Sequence, residues 1–274
     1  MVALNQLFPN NQVFQVVHQS FNQEQGQLAL AHTNALLAFS TQLSQPIIHF
    51  WTLPQNVILG MMDTKLPDYQ SACASLTAAG YPYTVRNAGG LGVVADAGVL
   101  NIGLYLPHLA DQLSIDDAYE LIAAWLVQTY PHTPEIAHFE VDHSYCPGNY
   151  DLSINGQKFA GIAQRRSKNG IAILLYASIN GQQKQRGQLM QTFYQQGNAD
   201  QQQRWQFPTV EPDSMANLAD LLDQPLTVAL VQQQLLASFN AHYFKTATDL
   251  VNSLAQSDYQ QLLQKQFQQL SRYQ

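Results

Sequence analysis

From Asn22 to Gln42 the apolar residues Leu28, Ala31, Ala35, Leu36 and Phe39 recur at helical spacing on one face, which predicts an amphipathic helix. The period changes at Pro46. Ile47-Ile48-His49-Phe50-Trp51 and Val57-Ile58-Leu59-Gly60 are short apolar runs separated by Pro54-Gln55-Asn56, the pattern of two strands and a turn. Asp68 to Gly80 reads as a helix, with Asp68 as its cap and Gly80 as its stop. Tyr81–Val85 is a strand that enters the glycine-rich loop Arg86-Asn87-Ala88-Gly89-Gly90-Leu91-Gly92, and Val93 to Leu106 is again strand-like. Ser114–Tyr130 is a helix started by Ser114, with Asp116, Asp117 and Glu120 near its positive end.

Asn-Gly pairs follow at Asn155-Gly156, Asn169-Gly170 and Asn180-Gly181, and such pairs favour tight hairpins because both residues tolerate positive φ. They flank Leu152–Ile154, Lys158–Arg165 and Ile171–Ile179, giving an antiparallel meander. After Pro212 helices return, at Met215–Leu222, Thr227–Tyr243 and Thr246–Leu270. Strand runs set between helices, without repeating βαβ units, predict an α+β fold: a mostly antiparallel or mixed sheet flanked by helices. No repeat and no long linker divides the chain, so residues 1–274 read as one domain, the last helix being an extension of it.

Composition narrows the function. No apolar run approaches the length of a membrane span, and the N-terminus has no signal-like pattern, so a cytoplasmic protein without a membrane partner is expected. The two cysteines suit a reducing compartment and must each be weighed as a thiol. A net charge of −7 argues against nucleic acid as the main partner. The charge is unevenly spread: between Leu152 and Ala199 there is no Asp or Glu, yet Lys158, Arg165, Arg166, Lys168, Lys184 and Arg186 all lie there. Such a band is either a chance run of solvated charges or a docking surface for an acidic partner.

Gly90-Leu91-Gly92-Val93-Val94-Ala95 formally opens a dinucleotide fingerprint, but that motif needs a helix after the glycines and the sequence that follows is strand-like. Glycines here instead let backbone approach a ligand, with Arg86 at the rim. Cys73, among small residues of a helix, reads as a buried inert thiol. Cys146 lies in the polar segment Asp142-His143-Ser144-Tyr145-Cys146-Pro147-Gly148, after a strand at Ala137–Val141 and at a turn, where a nucleophile can meet a substrate. A free thiol is only slightly ionised at neutral pH, so a neighbouring cation helps it attack. Lys158 can fold back from the far strand of the Asn155-Gly156 hairpin, and His143 lies just upstream. The residues alone leave open whether Cys146 is a nucleophile or an unremarkable loop cysteine. His138 and His143 would point to opposite faces of a continued strand, which argues against a metal site.

Arg86-Asn87-Ala88-Gly89-Gly90 with Val94, Asp96, Gly98 and Leu100-Asn101 resembles the substrate loop of the lipoate–protein ligases and the related biotinyl/lipoyl transferases. The stretch from Asp151 through Lys158 and Gly161 to Arg166 is similar to that family's lysine hairpin, and His49-Phe50-Trp51 through Gly60 to its early strand pair. The likeness runs from about Ala29 to Leu236, leaving 237–274 as a C-terminal helical extension. Within the family, Ser144-Tyr145-Cys146-Pro147-Gly148 resembles the cysteine loop of octanoyltransferases of lipoate assembly. The resemblance implies a biotinyl/lipoyl ligase-type catalytic domain and a cofactor-free acyltransferase. It would move an octanoyl group from a lysine of the glycine cleavage H protein to a lysine of lipoyl domains of 2-oxoacid dehydrogenase complexes. Cys146 would carry the acyl group as a thioester, and Lys158 would favour its thiolate and position the acyl carbonyl. Arg86, Gly89 and Gly90 would line the acyl tunnel, with His143 and Gly161 as further substrate-binding residues. Acyl carrier protein as octanoyl donor, or ATP-dependent ligation of lipoate, are the alternatives. Many ligases have histidine before the aspartate of the glycine loop, where this chain has Ala95, a departure that weakens the ligase alternative.

Overall fold

A computed structural model describes residues 7–87, 90–109, 111–131, 134–201 and 204–273. Eleven strands form two sheets among them. The chain opens with β1 (Val13–Ser20), which the sequence reading passed over. It then forms helix α1 (Gly26–Leu43) and β2 (Ile47–Thr52), which lies parallel to β1. This is a single βαβ crossover, not a repeating series, and it makes the sheet mixed. The later strands are β6 (Val99–Pro107), β7 (Ala137–His138), β8 (Leu152–Ile154), β9 (Gln157–Ser167), β10 (Gly170–Ser178) and β11 (Lys245–Ala247). They complete an eight-stranded sheet in the order β11-β1-β2-β6-β10-β9-β8-β7, with antiparallel pairing from β2 to β7. The smaller sheet is β4-β3-β5, built from β3 (Asn56–Leu59), β4 (Tyr83–Val85) and β5 (Val93–Ala95). The two strands expected on either side of Pro54 therefore do not pair; they enter different sheets.

Every residue of β6 is buried, because both faces of the large sheet are covered. Leu100, Ile102, Leu104 and Leu106 pack on one side with helices α3 (Ile115–Thr129) and α6 (Val228–His242), where Trp125 Nε1 donates to the Leu235 carbonyl at 3.0 Å. Tyr105, on the other side, joins α1 and the last helix α7 (Ser257–Leu270) through Leu36, Phe39, Tyr259 and Leu263. A third apolar cluster lies between the small sheet and helices α2 (Tyr69–Ala78) and α4 (Gln183–Gln196), and Cys146 packs against it. Asp68 caps α2 by accepting from Ser71 N at 3.1 Å, and Ser114 and Thr227 cap α3 and α6 in the same way.

Three further expectations change. Asn180-Gly181 turns into α4 instead of a further strand; its polar, Gln-rich sequence carries a weak periodic signal. The helix expected from Met215 shrinks to α5 (Leu218–Leu222). The helix expected from Thr246 to Leu270 is broken: β11 takes Thr246, a 3-10 turn follows at Asp249–Ala255, and only then does α7 begin. Pairing of β11 with β1 overrides local helical preference there. No helix among the described residues is long and apolar enough to cross a membrane.

Between α1 and the large sheet, His32 Nδ1 lies 2.8 Å from the Tyr259 hydroxyl, and burial pushes the imidazole down to about 4. His49, fully buried, is also pushed well below its ordinary value. Depressed histidines bind protons in the unfolded chain before they do in the folded one, so their contribution to stability is complete above about pH 6.5 and is lost as pH falls toward the folded value. Replacing His32→Gln should flatten the fall in unfolding free energy between about pH 6.5 and pH 4 by up to about 1.4 kcal/mol per pH unit. Urea titrations of parent and variant across that range measure the difference, and parallel pH curves would contradict it.

Candidate active site

The segment 139–151 joins β7 to β8 and is folded around Asp151. Its Oδ2 accepts from Gly148 N at 3.1 Å and Val141 N at 3.3 Å, while its backbone bonds Gly148 O and Phe139 N at 3.0 and 3.2 Å. Ser144 and Tyr145 are buried, whereas Cys146 is only half-buried. Cys146 has φ +53°, left-handed backbone that a residue with a side chain adopts only when its surroundings impose it.

Lys158 supplies the imposition. Asn155 and Gly156, with φ +52° and +79°, turn β8 back as β9 and set Lys158 opposite Ser153 beside a bulge. Lys158 is 5% exposed. Its Nζ lies 2.8 Å from Asp151 Oδ1 and donates to the carbonyl of Cys146 at 2.7 Å, to Ser144 Oγ at 3.1 Å and to the Tyr145 carbonyl at 3.3 Å. Burial lifts the Asp151 carboxyl above the usual carboxylate range, with Lys158 and the two backbone N–H groups opposing. Gly161 stands beside the pair: a Cβ there would sit 3.5 Å from Lys158 Cε and 3.6 Å from Asp151 Oδ1.

The opposite wall comes from the small sheet. Arg86 N donates to Leu59 O at 2.9 Å, and its guanidinium Nη2 reaches Leu91 O at 3.0 Å and Cys146 Sγ at 3.8 Å. Gly90 has φ +85°, and a Cβ there would lie 2.8 Å from Arg86 Nη2 and 3.7 Å from Sγ. Asp63 underpins this wall, accepting from Gly60 N at 2.7 Å and from the Tyr194 hydroxyl at 2.9 Å. Burial pushes its carboxyl up to about 6, against those bonds and the Arg86 charge. Gly89, a candidate lining residue, and Ala88 lie outside the described residues.

Beneath the cysteine runs a buried polar chain. Gln183 Nε2 donates to the Tyr145 hydroxyl at 3.2 Å, which is 2.8 Å from that of Tyr176, which in turn donates to Val94 O at 2.8 Å. Arg186, 1% exposed, closes the network on Asp96, with Nε 2.7 Å from Oδ2, and on Asn217 Oδ1 at 3.0 Å.

Cys146, Lys158, Gly161, Arg86 and Gly90 thus converge. His143 does not join them through any described contact: its exposed ring faces Thr209 O at 3.2 Å and Glu211 Oε1 at 3.7 Å. Nor does the basic band form one surface. Lys158 and Arg186 are buried, Arg165 bonds Asn34 and Asn87, and Arg166 bonds the Leu113 and Ser114 carbonyls, leaving Lys168 and Lys184 exposed. Sequence reasoning passed over Asp151, Asp63 and the Tyr145–Tyr176 pair as site residues. Asp151 at the end of the cysteine loop, seven residues before the lysine, was a usable signal; Asp63 carried none.

An Asp151→Asn variant should unfold about 3–5 kcal/mol more easily than the parent, since it leaves Lys158 charged and buried without its counterion. Adding Lys158→Met should recover part of that loss. Urea denaturation of the single and double variants tests this, and simple additivity of the two losses would refute it.

Residues 25–240 match the family model described as the lipoyl protein ligase A/B catalytic domain. The octanoyl-[GcvH]:protein N-octanoyltransferase of Anoxybacillus flavithermus is 40% identical over 198 residues, 72% of each chain. The lipoyl-[GcvH]:protein N-lipoyltransferase of Listeria monocytogenes is 37% identical over 218 residues, 79% of this chain and 77% of its own. Among solved structures, a putative lipoate protein ligase of T. acidophilum superposes with a TM-score of 0.70 at 15% identity, covering 94% of this chain and 95% of the other. A lipoate-protein ligase A bound with ATP does so with a TM-score of 0.67 at 15% identity, covering 94% of each. These two share the fold: a mixed sheet flanked by helices. Matched over most of its length by the family model and by relatives of this similarity, the chain belongs to the lipoyl protein ligase A/B catalytic domain family.

Proposed function

We propose that this protein is an acyltransferase that moves an octanoyl group from an octanoyl-lysine of the glycine cleavage H protein to a lysine of lipoyl domains of 2-oxoacid dehydrogenase complexes, through a thioester on Cys146. The observation that carries the reading is the setting of Cys146: a half-buried thiol in left-handed backbone, its own carbonyl held by a buried ammonium, facing the glycine loop. Relatives of 37–43% identity bearing octanoyl- or lipoyl-[GcvH] transferase names support it.

In the first half, Cys146 Sγ gives up its proton and attacks the carbonyl carbon of the octanoyl-lysine amide. The C–S bond forms, the C–N bond breaks, and the departing lysine Nε takes a proton. In the second half, the unprotonated amine of the acceptor lysine attacks the thioester carbon: the C–N bond forms, the C–S bond breaks, and the proton lost by nitrogen is returned to the departing sulphur. An amide is consumed and an amide is made, so the exchange balances without ATP and runs in both directions. Lys158, which holds the Cys146 carbonyl, keeps the sulphur in place throughout. Gly161 leaves room beside Lys158, and Gly90 beside Arg86 and the sulphur.

The Listeria relative, named for a lipoyl group, supports a second reading in which the same thioester carries lipoate. Intact-protein mass spectrometry separates the possibilities. Mixing the parent with octanoyl-H protein, without ATP, should give a hydroxylamine-sensitive octanoyl adduct that Cys146→Ala lacks. An adduct from lipoyl-H protein alone would favour the second reading, and one from octanoyl-acyl carrier protein alone would change the donor. Acylation of a lipoyl domain only on addition of ATP would overturn the transferase reading.

A further inference from the structure

A cysteine nucleophile needs a charge partner, and the buried lysine beside the loop faces elsewhere. An ammonium has three hydrogens. Around Lys158 Nζ they meet Asp151 Oδ1, two backbone carbonyls and Ser144 Oγ, at 2.7–3.3 Å. Its charge is matched by Asp151 and its donors are taken by the backbone that carries Cys146.

Among the described residues, the side chain that sets an N–H against the sulphur is Arg86, with Nη2 3.8 Å from Sγ. We propose that Arg86 is the charge partner of the Cys146 thiolate, and that Lys158 is a positioning residue that fixes the loop. The proposal rests on Cys146 being the nucleophile.

Three further features support this division. The Nη2 group is steered by the Leu91 carbonyl at 3.0 Å, so the guanidinium is held at the sulphur with no acidic hydrogen-bond partner among the described residues. Arg86 Nε is buried with no hydrogen-bond partner among the described residues, so the guanidinium keeps unused donor capacity. Gly90 supplies the gap in which Nη2 and sulphur meet, since a Cβ would lie 2.8 Å from one and 3.7 Å from the other.

The remaining charged and titratable groups packed around the sulphur are accounted for. Asp63 has both oxygens engaged, by Gly60 N and the Tyr194 hydroxyl, and Tyr194 of α4 faces the site through that bond. Lys158 and Asp151 neutralise each other on the β9 side. A guanidinium is charged at every accessible pH and presents several N–H donors, so it can follow the sulphur as charge develops and leaves. An arginine so placed also favours the thiolate as leaving group when the acceptor amine attacks the thioester.

The test reads the thiol without any acyl donor. In a Cys73→Ala background, the rate of alkylation by iodoacetamide at about pH 7 reports the thiolate fraction of Cys146. Arg86→Gln should lower that rate about tenfold, with the difference closing near pH 10, where thiols ionise unaided. Arg86→Lys should retain most of the parent rate, and Lys158→Met, which frees the loop, should lose octanoyl transfer while its remaining alkylation rate still falls when Arg86→Gln is added. An Arg86→Gln variant that alkylates at the parent rate overturns the proposal, as does a tenfold loss confined to Lys158→Met. Should Lys158→Met fail to fold, the contrast between the glutamine and lysine variants of Arg86 decides alone. Failure of the nucleophile reading would show separately, as absence of an acyl adduct on the parent.

Discussion

The ion pair between Lys158 and Asp151 is the constraint on which the site depends. A lysine almost wholly shielded from water must find acceptors for its hydrogens, because an unmet buried charge costs several kcal/mol. Asp151 cannot meet that need alone, and the other acceptors are the Ser144 hydroxyl and two backbone oxygens of the loop that Asp151 itself closes. Satisfying the lysine therefore fixes the path of residues 144–146, including the left-handed backbone at Cys146. A buried pair of this kind adds little net stability, and its effect is geometric: it selects one loop conformation from many.

The thiol stands where two sheets meet. The cysteine loop and Lys158 belong to the large sheet, whereas Arg86, Gly90 and Asp63 are arranged by the small one. Their relative placement is set by the short connection from β5 to β6, where Asp96 caps the turn through Gly98 N at 3.0 Å and receives the buried Arg186. The hydroxyl chain from Gln183 through Tyr145 and Tyr176 to Val94 ties the cysteine loop directly to β5. Such a fully engaged polar network fixes distances more sharply than apolar packing does, because each bond is directional. It leaves a site assembled before substrate arrives, which suits chemistry that needs only the approach of two lysines to one sulphur.

Much of this was written in local sequence. Helical periodicity, with Asp68 and Ser114 at the starts, located α2 and α3, periodicity alone located α6, and two of the Asn-Gly pairs located the β8–β9 and β9–β10 hairpins. Cys146, Lys158, Arg86 and Gly90 were legible as a set because a loop cysteine, a hairpin lysine and a glycine loop each carry a distinct local signature, and together they resemble one family. What local sequence does not carry is pairing between distant segments. The parallel join of β11 to β1 turned an apparent helix into strand and 3-10 turn, and the division of Ile47–Trp51 and Val57–Gly60 between two sheets has no local sign. Direction and burial of charge belong to the same class. Lys158 was correctly placed near the cysteine loop, but whether its ammonium meets sulphur or carbonyl depends on where Asp151 sits, and a run of six basic residues looks alike whether buried or solvated. Sequence determined the elements and the reactive residues, since those follow from side-chain chemistry and periodicity along the chain. Tertiary structure alone decided which cation meets the thiol, because that rests on distances across strands far apart in sequence.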